Sequence, residues 1–136
     1  MDFKVSLKDI NKVINYLISK INSEDTIVLL QGDLASGKTT LVKHFVKSIG
    51  IKDEVTSPTF SLQSIYPNNI YHYDIYNKTL EEFISMGFLE EFEKTGIHFV
   101  EWGDDKLKNI LIEYGFKVIV IEINKNENMR EYAFKS

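Results

Sequence analysis

Hydrophobic residues change their spacing several times along this chain, and each change marks a different element. Ile10, Val13, Ile14, Leu17, Ile18 and Ile21 recur at helical intervals, which predicts a helix with one apolar face. Ser6-Leu7-Lys8-Asp9 before it resembles a capping box with Asp in the last place. Thr26 to Leu30 is then unbroken and apolar, between Glu24-Asp25 and Gly32, as expected of a strand buried on both faces of a parallel sheet. Leu41, Val42, Phe45, Val46 and Ile49 return to helical spacing and Gly50 stops them.

Two aromatic-rich extended runs follow, Ser61 to Tyr66 and Ile70 to Tyr76, joined by Pro67-Asn68-Asn69 as an antiparallel hairpin. Leu80, Phe83, Ile84, Phe88, Leu89 and Phe92 predict one helix, or two short ones broken at Gly87. Ile97 to Trp102 is a further buried strand, Asp104 to Tyr114 a helix, and Val118 to Ile123 with Glu131 to Phe134 a closing hairpin. Strands alternating with helices predict an α/β domain of three layers, its central sheet mostly parallel with antiparallel hairpins at the edges.

Composition narrows the class. At 136 residues, 43% hydrophobic, the chain suits one domain over residues 1–136, long enough to bury about 68% of its unfolded surface without staples. There is no cysteine, which excludes disulfides, thiolate metal sites and a cysteine nucleophile. The start Met1-Asp2-Phe3-Lys4 has no apolar signal core and no segment is long enough for a membrane span, so a cytoplasmic location with no membrane partner is expected. Sixteen basic and twenty acidic residues give a charge of −4, and Arg130 is the only arginine. That balance argues against a DNA-binding or broad RNA-binding surface.

The sharpest chemical signal is Gly32-Asp33-Leu34-Ala35-Ser36-Gly37-Lys38-Thr39, a G-x-x-x-x-G-K-[ST] phosphate loop between a predicted strand and a predicted helix. In such a loop the glycines let backbone N–H groups face phosphate oxygens, Lys38 adds a charge near the β and γ phosphates, and the Thr39 hydroxyl is a Mg²⁺ ligand. A carboxylate must then help hold the metal, and another group must orient the attacking water or acceptor. Asp74 and Glu101 each end an extended run, where α/β sheets place ligands; either could also be a solvated strand-end charge. His72 and His98 lie in aromatic or apolar runs and suit core or edge positions better than catalysis, and Trp102 suits a core anchor. Asn124-Lys125-Asn126-Glu127 approaches a guanine-reading Asn-Lys-x-Asp pattern but carries Glu in the last place. It is read as a polar hairpin turn.

Taken together, these residues resemble the TsaE family, formerly YjeE, the P-loop ATPase of bacterial tRNA threonylcarbamoyladenosine modification. The family's phosphate loop appears as Gly32 to Thr40, its Ser-Pro-Thr-Phe switch segment as Ser57 to Phe60, its His-x-Asp-x-Tyr motif as His72 to Tyr76, and its Glu-Trp pair as Glu101-Trp102. The resemblance implies an ATPase with ATP and Mg²⁺ as cofactors. It implies Thr39, Glu101 and Asp74 at the metal, Lys38, Asp74 and Glu101 supporting hydrolysis, Thr40 among the loop contacts, and Thr59 sensing the γ phosphate. Trp102 and Arg130 would lie beside the nucleotide. It also implies TsaD-family and TsaB-family partners, with tRNA reached indirectly through their complex. Ala35 departs from the family's loop glycine, and Asn77 stands where the family has Arg. A small-molecule kinase and an ATP-dependent binding module are the rival readings, the kinase disfavoured by the single arginine.

Overall fold

A computed structural model describes residues 1–33, 36–56, 58 and 62–135. The strands are β1 (Asp2–Ser6), β2 (Thr26–Gln31), β3 (Gln63–Tyr66), β4 (Ile70–Asp74), β5 (Ile97–Glu101), β6 (Val118–Asn126) and β7 (Met129–Lys135). The helices are α1 (Asn11–Ile21), α2 (Lys38–Ser48), α3 (Leu80–Ser85), α4 (Phe88–Glu91) and α5 (Asp105–Glu113). All seven strands share one sheet in the order β1-β7-β6-β2-β5-β4-β3. The middle four are parallel, β2 pairing with β5 and β6 and β5 with β4. The outer pairs β3–β4, β6–β7 and β1–β7 are antiparallel.

The two-residue period of each strand divides the core. Val28, Leu30, Phe99, Ile121 and Ile123 face α1 and α2, which contribute Val13, Ile14, Leu17, Leu41, Val42 and Phe45. Ile27, Leu29, Val100 and Val120 face the other way, against Phe83, Phe88, Leu107 and Leu111 of α3, α4 and α5. The continuous apolar run of β2 is therefore what a central strand needs, since both faces are covered.

Local chemistry sets the helix ends. Thr79 and Glu82 form a reciprocal capping box at α3, and Asp104 accepts from the Leu107 N–H at 2.9 Å to start α5. Gly87, at φ 85°, separates α3 from α4, as the break in periodicity suggests. Ser6 and Asp9 form no capping box: they cap nothing and their side chains meet each other at 3.4 Å, because a short 3-10 turn at Leu7–Asp9 displaces the helix start to Asn11. Strand β1 has no counterpart among the elements expected from sequence. It holds its place on β7 through cross-strand pairing and a cluster of Phe3, Tyr16 and Phe134.

Candidate functional site

Parallel alignment carries the ends of β2, β4 and β5 to the same edge of the sheet. Asp74 and Leu30 both pair in register with Glu101, so two carboxylates and the loop after β2 converge where α/β sheets receive ligands. A cleft of about 450 Å³ opens there, lined by Ser36 to Thr40, Asp74, Glu101, Trp102, Lys125 and Arg130. This is within the usual range of small-molecule sites.

Two glycines shape the loop. Gly32 leaves β2 at φ 141°, and a Cβ there would stand 2.3 Å from the Ile123 carbonyl oxygen. Gly37 precedes α2 at φ 116°, and its Cβ would stand 2.8 Å from an Arg130 guanidinium nitrogen. Any other residue would be both strained and obstructed. The turn between them is closed by the Ser36 N–H donating to the Asp33 carbonyl at 3.1 Å.

Lys38 starts α2 and turns its ammonium back into this loop. It donates to the carbonyls of Gly32 and Asp33 at 2.8 Å each and to Ser36 Oγ at 3.3 Å, and it sits 3.8 Å from the centre of the Trp102 ring. Burial pushes the Lys38 pKa down, while Glu101, Asp74 and Asp33 oppose that shift. Trp102 itself turns at φ 71°, its N–H bound to the Leu30 carbonyl at 2.9 Å and its ring 4.7 Å from that of Tyr76.

Beside the ammonium, the Thr39 hydroxyl donates to Glu101 Oε2 at 2.7 Å. Glu101 is buried, and the same oxygen also bonds His72 Nε2. Asp74 accepts the Tyr76 N–H at 3.0 Å through Oδ1, fixing the carboxyl at the strand end. Among the described residues, no three His, Cys, Asp or Glu side chains group as a metal site. The oxygen pair of Thr39 and Glu101 has instead the hard-donor chemistry that suits Mg²⁺, which takes few protein ligands and completes its shell with water and phosphate.

The structure thus brings together Ser36, Gly37, Lys38, Thr39, Thr40, Asp74, Glu101, Trp102 and Arg130. Gly32 and Asp33 do not line the cleft and meet Lys38 through their carbonyls. Leu34, Ala35 and Thr59 lie outside the described residues. One residue of the cleft differs from the sequence reading. Lys125 is no turn residue: it belongs to β6, pairs with Arg130 across the hairpin and lines the cleft. His72 is a core residue that also touches the site, and its two-residue spacing from Asp74 was the signal that both share one face.

Sheet order, glycine loop and strand-end carboxylates define a P-loop-like α/β protein. A family model described as threonylcarbamoyl adenosine biosynthesis protein TsaE matches residues 5–132. The chain belongs to the TsaE family. The protein from Treponema pallidum named tRNA threonylcarbamoyladenosine biosynthesis protein TsaE is 39% identical over 101 residues, 72% of this chain and 74% of its own length. Its counterpart from a Nostoc species is 31% identical over 127 residues, 82% of this chain and 78% of its own. The crystal structure of Bacillus subtilis YdiB superposes with a TM-score of 0.65 at 27% identity, covering 98% of this chain and 83% of that one.

Proposed function

We propose that this chain is a Mg²⁺-dependent ATPase of tRNA threonylcarbamoyladenosine synthesis, coupling ATP binding and hydrolysis to a TsaD and TsaB transfer complex in the cytoplasm. It does not itself transfer the threonylcarbamoyl group, and tRNA reaches it only through that complex. The observation that carries the reading is the Thr39–Glu101 hydrogen bond beside the Lys38 ammonium at the open end of the sheet, in a chain of the TsaE family. Among the described residues no helix is long and apolar enough to cross a membrane.

In this mechanism the loop N–H groups, the positive end of α2 and Lys38 bind the β and γ phosphates. Thr39 and Glu101 hold Mg²⁺, which when bound offsets the charge on the phosphate oxygens. Asp74, level with Glu101, orients the attacking water. Trp102 and Arg130 close the sides of the cleft. The isolated chain turns over slowly and its partners complete the site, as activating proteins do for other P-loop enzymes.

Steady-state phosphate release with Mg²⁺, measured alone and with the matching TsaD and TsaB proteins while tRNA modification is scored, tests this. Partner-stimulated hydrolysis with repeated rounds of modification is expected. Hydrolysis indifferent to the partners, with modification unchanged when this chain is omitted, overturns the coupling; a phosphorylated small molecule would indicate a kinase. The variant K38A should stay folded and lose about 100-fold in triphosphate affinity, the value of one or two charge-assisted hydrogen bonds.

A further inference from the structure

His72 is fully buried in β4, and its imidazole points along the sheet face toward the end of β5. Residues 72 and 74 share one face of β4, and the register sets His72 opposite Phe99 and Asp74 opposite Glu101. The Glu101 side chain reaches back to meet His72 Nε2 through Oε2, the oxygen that also accepts from Thr39. Nδ1 of His72 is buried without a hydrogen-bond partner among the described residues. The Tyr66 ring lies 6.5 Å away, centre to centre, on the same side.

That arrangement assigns the proton. A carboxylate accepts and does not donate, so Nε2 must carry the hydrogen that joins the two groups. A hydrogen on Nδ1 would be buried with no acceptor among the described residues, at a cost of about 1–3 kcal/mol, whereas a bare lone pair there is cheaper. With the hydrogen on Nε2, the nitrogen that has a partner is the donor, and only a lone pair is left at the one that has none.

We propose that His72 is a positioning residue for the metal site: its Nε2–H fixes one oxygen of Glu101 beside Thr39 and sets the carboxylate's orientation toward the cation. The inference rests on the Mg²⁺-ATP reading above. An imidazole that orients a ligating group commonly changes metal affinity or activity by about 10- to 100-fold when lost. A histidine kept only for volume would leave the metal response unmoved when replaced by a ring of similar size.

Two measurements on the whole chain decide this. The first needs no ligand: nitrogen NMR of histidine-labelled protein should find His72 protonated on Nε2, with a signal displaced in E101A. An Nε2 that carries no proton overturns the proposal. The second is Mn²⁺ titration by electron paramagnetic resonance with a non-hydrolysable ATP analogue, beside analogue binding without metal. H72F should bind the metal-free analogue as the parent does and the cation about 10-fold or more weakly, while H72Q, whose amide can reach the Nε2 position, should recover most of that loss. Equal cation affinity in a folded H72F, or failure of a folded H72Q to recover any, overturns the positioning role. A parent chain that binds neither analogue nor cation would sink the ATPase reading, and the metal role with it, even if the NMR result stood.

Discussion

Two buried histidines sit on neighbouring strands of one sheet and do opposite things. His72 faces the α1–α2 side, near the cleft, with one ring nitrogen on a carboxylate and the other without a partner among the described residues. His98 faces the α3–α5 side, its Nδ1 bonded to Tyr73 Oη at 2.6 Å and its Nε2 to the Lys94 carbonyl at 2.8 Å. It is stacked on Tyr71 at 4.4 Å and bordered by Phe92 at 5.6 Å. The ring whose hydrogen bonds are all spent on the fold has nothing left for chemistry. The ring that spends its bond on a strand-end carboxylate ties the interior to the cleft. Burial alone does not separate structural from functional histidines; the destination of each nitrogen does.

The strongest way to break this contrast acts at the cleft. E101Q removes the charge that His72 and Thr39 hold in place while preserving shape; hydrolysis should fall about 100- to 1,000-fold with nucleotide still bound and the melting temperature little changed. Equal hydrolysis would remove Glu101 from the site. On the other face, H98A should leave nucleotide affinity alone and cost about 3 kcal/mol in chemical denaturation, because it empties an aromatic cage and removes the Nδ1 acceptor of the buried Tyr73 O–H. A loss of hydrolysis at full stability would invert the assignment of roles.

Acid sharpens the same comparison. Burial holds the His98 imidazole below its ordinary range, so as pH falls the unfolded chain takes up the proton first. Stability should therefore decline as pH drops below about 6.5, the unfolded value. In H98N, whose amide replaces Nδ1 opposite Tyr73 and cannot titrate, the fall in melting temperature between about pH 7 and about pH 5 should be smaller. An identical slope would place the acid sensitivity elsewhere. The smallest effect is expected from K125A, which should weaken triphosphate binding by no more than a few-fold, as for a solvent-screened charge; a loss as large as that of K38A would make the hairpin a principal phosphate contact.

Much of this was legible in the chain because it depends on local pattern. The run Thr26 to Leu30 could only be a central strand, and the glycines, Lys38 and Thr39 of the loop are bound to their places by backbone geometry that few other residues permit. What was not legible depends on strand order. Nothing in Asp74 or Glu101 taken separately states that their strands are adjacent and in register, and the opposite faces of His72 and His98 follow only once β4 and β5 are paired. Lys125 looked like part of a turn because the β6–β7 hairpin extends farther than its apolar residues do, polar side chains at Asn124 to Asn126 continuing the ladder. Strand β1 has no sequence signature because only Val5 in it is buried, too little alternation to distinguish it from a leader into α1. The Ser6–Asp9 pattern had the right letters, but the chain enters the helix by a 3-10 turn, which changes which N–H groups those side chains can reach.

Trp102 is the only tryptophan in the chain, and its ring is wedged between the Lys38 ammonium and Tyr76. In optical terms, the protein holds one indole chromophore, and it stands in the electric field of the ammonium that donates to the loop carbonyls. Any displacement of that cation changes the field across the indole and moves its emission. Excited at the red edge of the indole band, the aromatic cage around His98 is dark and the cleft alone is lit. The molecule is therefore its own dye: any ligand that displaces the Lys38 ammonium should be visible by stopped flow on the unlabelled protein.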